Sequence, residues 1–419
     1  MRIIFSILIL LMGFGGVSFA KADLQPREKV LPLDLEASGE EVYAYAKNHN
    51  LLFLNTDNFS DQIELAIHLG TRNLEWLHVL NAHRPQDQSL RFSDPKHRVG
   101  FPITAPKKYG PASIEKDYKD LATNLPIEIL TVCQSSSDYP ISKTLSDEDY
   151  LLWARKVNTL YQTAVRWKSM QPWIAELTDR KREDVRGYYF LREDKDLEKK
   201  LTNFYHLDVA EQLKISVGLI GLCINSEGID GGCEQHVNQA GTANKLLEFY
   251  QRYEPPSQTL YENFFHIAMK RPDVQWSVQN PELMSVPFRT HDEIRIQKFL
   301  SVNIEDEWKW NEWHLRLNFQ PDANAHVEFQ AGALPHVDGI AGNTITMDGN
   351  VSLDEPEVQW IIRHEFGHVL GFPDCYVEYY EPKENLMISY QLDTTNLMCS
   401  RAGNMVERMY QELKSAYLH

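Results

Sequence analysis

Apolar residues recur along this chain with two different periods, and the place where the period changes divides it. Residues 38–48 and 60–82 carry apolar side chains at helical spacing, the second stretch through Ile63, Ile67, Leu74, Leu77 and Leu80. Pro85, Pro95, Pro102, Pro106 and Pro111 then follow with little periodicity between them, which predicts loop. Ser146, with Asp149 three residues on, predicts a capped helix start, and Leu151, Ala154, Val157, Leu160, Ala164 and Trp167 continue that helix. Further helices are predicted over residues 194–204, 209–222, 243–253 and 259–270. Residues 23–286 are therefore expected to be mainly helical, and Pro272, Pro281 and Pro287 mark a boundary.

After that boundary the period is two. Trp313, Leu315, Leu317 and Phe319 alternate with His314, Arg316 and Asn318, and Ala325, Val327 and Phe329 alternate in the same way. Residues 343–347 form a third β-prone run. Ser352 and Glu355 have capping-box spacing, and Pro356 suits the first turn of a helix running to about Leu370. Strands followed by a helix predict an α+β domain over residues 287–419.

Composition narrows the function classes. The chain has 419 residues, enough for about two or three domains, with 43% hydrophobic and 24% charged residues, as in an ordinary globular protein. Acidic residues number 59 against 42 basic ones, a net charge of −17 that repels phosphate backbones, so nucleic acid is not an expected partner. Arg2, the apolar run from Ile3 to Val17 and small residues at Ser18, Ala20 and Ala22 predict a cleaved signal peptide over residues 1–22, hence a secreted or periplasmic protein. That run is too short to span a bilayer, and no membrane span is expected in the mature chain. Export permits disulfides among Cys133, Cys223, Cys233, Cys375 and Cys399, with one cysteine left over.

The chemistry concentrates in His364-Glu365-Phe366-Gly367-His368, within the predicted last helix. Residues four apart share a helical face, so two imidazoles can bind one Zn2+ ion while Glu365 points toward its open side. Gly371 can end the helix and turn the chain, bringing Asp374 back as a third ligand. Three protein ligands would leave a fourth position for water, whose pKa zinc lowers to about 7, with Glu365 as general base. No G-x-S-x-G elbow occurs, and no cysteine has a flanking nucleophile signature. His206, His236, His266, His314, His326 and His336 have no partner at ligand spacing.

The motif HExxHxxGxxD resembles that of the metzincin zinc endopeptidases, and Asp in the third place is most similar to the snapalysin-type bacterial proteases. The resemblance covers about residues 287–419. It implies a twisted zincin sheet, with residues 339–347 as an edge strand where peptide substrates add, the other reading being a buried hairpin. It also implies a methionine turn beneath the metal, at Met398 or at Met387, and a Tyr376 that either packs or helps stabilise an oxyanion. Glu378, Glu381 and Glu384 are alternative third ligands. Cys375 follows the proposed ligand and Cys399 the proposed turn methionine, so a bridge between them would tie the two loops. Cys223 would then pair with Cys233, leaving Cys133 as an ordinary thiol or a thiolate that reaches the metal. The function implied is an exported zinc-dependent endopeptidase, with residues 23–286 as a pro-segment or substrate-selecting domain. The alternative class is a non-catalytic zinc-binding secreted interaction protein or adhesin whose N-terminal region carries the function.

Overall fold

The computed structural model describes residues 33, 36–52, 61–92 and 100–419, and the expected signal peptide lies outside them. The described protein is mixed α+β with small sheets. The first helices are α1 (Gly39–Asn48) and α2 (Gln62–Ala82), the latter capped by Asp61, whose carboxylate accepts from Ile63 N at 2.9 Å. Within the stretch expected to be loop lies β1 (Lys107–Tyr109). Three residues are too few to display a period, and the strand exists because a distant partner completes its hydrogen bonds. α3 (Pro111–Asn124), α4 (Ile127–Gln134), α5 (Asp147–Met170) and α6 (Ile174–Asp179) complete this part. The Ser146 cap forms, with Asp149 N donating to its hydroxyl at 3.1 Å. α2 and α5 cross closely at Gly70, where a Cβ would come 2.2 Å from that of Tyr161. These helices share one core that includes Leu69, Leu74, Trp76, Tyr150 and Tyr161.

A second core takes in Ile103 and then runs from Val185 to Tyr417. Its helical part is α7 (Arg186–Arg192), α8 (Leu197–Thr202), α9 (Val209–Glu227), α10 (Cys233–Thr242) and α11 (Leu246–Asn263). The sequence predicts two helices on either side of Pro255-Pro256, yet α11 runs through both prolines. Buried Phe249 and Tyr253 before them and Leu260 and Tyr261 after them hold one continuous face against the core. The two prolines remove the donors that Gln251 O and Arg252 O would otherwise accept, and burial on both sides outweighs that loss.

The strands follow: β2 (Gln275–Trp276), β3 (Leu283–Arg289), then α12 (Ile294–Leu300), β4 (Lys309–Trp310), β5 (Trp313–Gln320), β6 (His326–Gln330), β7 (His336–Val337) and β8 (Thr344–Asp348). β3 and β5 run parallel, with Met284, Val286 and Phe288 opposite Leu315, Leu317 and Phe319. Arg289 N donates to Ala325 O at 2.7 Å, joining the end of β3 to the start of β6. β8 lies between β6 and β7, parallel to the first and antiparallel to the second. The run 339–347 therefore does not supply an edge strand. Its β-part is interior because β6 and β7 pair with it on either side, and the edges of this sheet fall to β6 and β7.

The boundary expected at 286/287 is corrected as well, since it cuts β3 between Val286 and Pro287. Most of the first core precedes Leu177 and most of the second follows Val185, but Ile103 packs into the second and Met387 into the first. The chain then forms α13 (Pro356–Val369), the hairpin β9 (Tyr376–Glu381) and β10 (Leu386–Gln391), and α14 (Glu407–Tyr417). β1 pairs antiparallel with β10, so the first core is stitched to the last hairpin. The buried Arg166–Glu378 ion pair lies across the same seam, Arg166 Nε donating to Glu378 Oε1 at 2.9 Å. No helix among the described residues is long and apolar enough to cross a membrane.

Candidate metal centre

α13 carries His364, Glu365 and His368, and its inner face is anchored by Ile361, Ile362, Phe366 and Val369, all buried. Pro356 opens the helix as expected. The Ser352–Glu355 capping box does not form; Glu355 sits at the cap position and pairs with Arg91 at 2.6 Å. Past the helix, Gly371 has φ +93°, and a Cβ there would fall 1.9 Å from Met269 O. Both the left-handed backbone and the absent side chain are thus required for the turn. That turn returns Asp374 to the helix, with Oδ1 3.3 Å from His364 Nε2 and 3.4 Å from His368 Nε2.

The donor set suits a small cation. The three ligand atoms lie within 4.8 Å of one another. Ligands bound about 2.0–2.1 Å from a tetrahedral zinc lie about 3.3–3.4 Å apart, the spacing between Asp374 and each imidazole. His364 Nδ1 is 2.8 Å from Leu397 O, and His368 Nδ1 is 2.9 Å from Phe372 O. A carbonyl only accepts, so each Nδ1 carries a hydrogen and each Nε2 is the ring nitrogen that faces Asp374. Burial disfavours the charged form of His368, but the Asp374 carboxylate outweighs it and holds the imidazole pKa above its ordinary value. The pocket thus attracts a positive charge, whether proton or metal. Glu365 is buried beside it, one position along the helix from His364.

Beneath the helix, Leu397 and Met398 form the loop that supports the site. Met398 N donates to Asn396 Oδ1 at 2.8 Å, and its carbonyl accepts from Cys375 N at 3.1 Å. Cys375 and Cys399 form a disulfide, as do Cys223 and Cys233. Met387, the other turn candidate, lies on β10 and packs into the first core. The alternating bulk of Val377 and Tyr379, and of Ile388 and Tyr390, around the turn at Asn385 is the available signal for this hairpin. Cys133 is fully buried on α4 in the first core, where burial pushes its thiol up to about 12. The idea of a Cys133 thiolate on the metal is corrected accordingly: its core is not the one that contains Asp374's neighbours.

The alternative carboxylates are committed elsewhere: Glu378 to Arg166, Glu381 to Lys181 at 2.5 Å and Glu384 to Lys108 at 3.7 Å. Tyr376 is half-buried at the start of β9, in register with Gln391. His236 does have neighbours that its spacing concealed, Cys223 and Glu227. The Cys223 sulfur is closed in its disulfide, which leaves His236 Nδ1 3.5 Å from Glu227 Oε2. His266 pairs with Glu412 and His326 with Glu328. No protein-family model matches the chain, and no curated protein or solved structure does either.

Proposed function

We propose that this protein is an exported zinc-dependent endopeptidase of zincin-like architecture. The observation that carries the proposal is the convergence of His364, His368 and Asp374 at zinc-ligand spacing, with both Nδ1 atoms engaged by main-chain carbonyls. Zinc held there would supply a Lewis acid and a water of lowered pKa. Glu365 takes a proton from the attacking water and passes it to the leaving amine nitrogen, which its place one residue from His364 favours. Tyr376, two residues beyond Asp374, is the candidate to share the developing oxyanion. The free edge of β7 offers an extended peptide a strand to join, since β7 has one neighbour among the described residues. A closed structural site would more often use four protein ligands, and three candidates converge here among the described residues.

The test is a comparison of wild type with Glu365→Gln. Wild type should hold one zinc per chain and cleave peptides in a mixed library, with activity lost on chelation. The variant should keep the zinc and lose activity by about 10²–10⁴-fold. Zinc without any peptide cleavage by wild type would favour the non-catalytic binding protein instead.

A further inference from the structure

The segment joining α11 to β2 passes beside the centre and holds two of its parts. Ala268 N donates to Gly371 O at 2.9 Å, and Arg271 N donates to the Tyr417 hydroxyl at 2.9 Å. That hydroxyl donates in turn to Leu370 O, at the end of the metal-bearing helix, also at 2.9 Å. The Arg271 side chain is 3% exposed. Its Nε and Nη2 bind Asp273 at 2.9 and 2.7 Å, while Nη1 reaches Gly342 O at 2.9 Å, Asn343 Oδ1 at 3.1 Å and Ala341 O at 3.3 Å.

Residues 338–343 form the turn between β7 and β8. Ala341 N donates to His368 O at 2.8 Å, so the turn is tied to the helix on one side and to the Arg271 guanidinium on another. Ala341 adopts φ +57°, a conformation an alanine holds only when its surroundings impose it. Asp338 N donates inward to Thr344 O at 3.1 Å. Alternation along an antiparallel strand then leaves the main-chain groups of Val337 directed away from β8. A Cβ on Gly339 would meet no atom within 4 Å, so the chain beyond Val337 also borders open space.

We propose that Arg271 is a positioning residue for peptide recognition: it holds the β7–β8 turn against His368 and thereby sets the free β7 edge relative to His364, His368 and Asp374. The inference rests on the peptidase proposal and narrows its substrates to extended segments long enough to pair with Val337. Nη1 shares its two hydrogens among the three turn acceptors while Nε and Nη2 hold a carboxylate, an arrangement that needs the planar fork, so lysine does not substitute for it.

The experiment measures peptide binding in the full-length Glu365→Gln background, where turnover is blocked. An octapeptide cleaved by wild type, and a dipeptide amide spanning the same bond, are titrated into Glu365→Gln alone and with Arg271→Met, Arg271→Lys or Asn343→Ala. Arg271→Met and Arg271→Lys should weaken the octapeptide at least about tenfold, with zinc content and dipeptide binding unchanged. Asn343→Ala, which removes one acceptor, should give a smaller loss with the same length dependence, and it serves if the arginine variants do not fold. Unchanged octapeptide affinity, or an equal loss for both peptides, would overturn the role of Arg271. Failure of the peptidase proposal looks different: wild type then cleaves nothing, and this inference falls with it.

Discussion

A Cβ placed on Gly367 would come 2.1 Å from the sulfur of Met398, so the loop methionine fills the room that only glycine leaves on the underside of α13. Trp308 approaches the same point to 3.1 Å. Glycine to alanine in an exposed helix interior ordinarily stabilises by about 1 kcal/mol. Here Gly367→Ala should instead cost about 1–3 kcal/mol through overpacking, read as a lower denaturation midpoint. Zinc affinity should fall too, because the Leu397 carbonyl that orients His364 moves with Met398. An alanine variant as stable as wild type would mean that Met398 has somewhere else to go.

The Cys375–Cys399 bridge joins the chain next to Asp374 to the chain next to Met398, across a separation of 24 residues. Replacing both cysteines by serine should cost about 3 kcal/mol in the chain-entropy model and weaken zinc retention. Non-reducing peptide mapping should recover the 375–399 and 223–233 linked peptides, with Cys133 labelled only after unfolding. Cys133 in a mixed disulfide would refute this arrangement.

The Arg166–Glu378 pair makes stability depend on pH. Burial pushes the Glu378 carboxyl up, but the charge of Arg166 and hydrogen bonds from Arg166, Ser389 and Tyr109 outweigh it and hold the pKa below its ordinary 4.5. The unfolded chain therefore takes up this proton at higher pH than the folded one. The contribution is complete at neutral pH, shrinks as the pH falls below about 4.5 and vanishes below the folded-state value. Glu378→Gln leaves Arg166 buried without its counter-ion and should cost about 3–5 kcal/mol at pH 7. Unfolding titrations should find that difference narrowing under acid; a difference that stays flat with pH would be inconsistent with the pair.

Residues 287–419 expressed alone should neither fold cooperatively nor bind zinc tightly. The fragment begins inside β3 and lacks β1, which pairs with β10. It also lacks Glu41, whose carboxylate binds the buried Arg401 at 3.1 Å, and Glu36, which accepts from Ser400 at 2.8 Å just beyond Met398. A fragment with a sharp thermal transition and one bound zinc would restore the boundary expected from the prolines.

What the sequence determined by itself was local. His364 and His368 share a face because helical geometry repeats within four residues, and Gly371 ends that helix whatever surrounds it. The Ser146 cap, the alternation of β5 and the adjacency of Cys375 to Asp374 are legible for the same reason: partners a few residues apart meet through backbone geometry alone. Tertiary structure decided the rest. Tyr109 pairs with Met387 and Arg166 with Glu378, at separations no local period records. α11 continues through Pro255-Pro256 because burial on both sides outweighs the missing donors. Residues 344–348 look alike as an edge or an interior strand until β7 covers their second side. Arg271 stands between prolines' loops with nothing to distinguish it from a surface cation; its three turn acceptors, 70 to 72 residues away, exist only once the chain has folded.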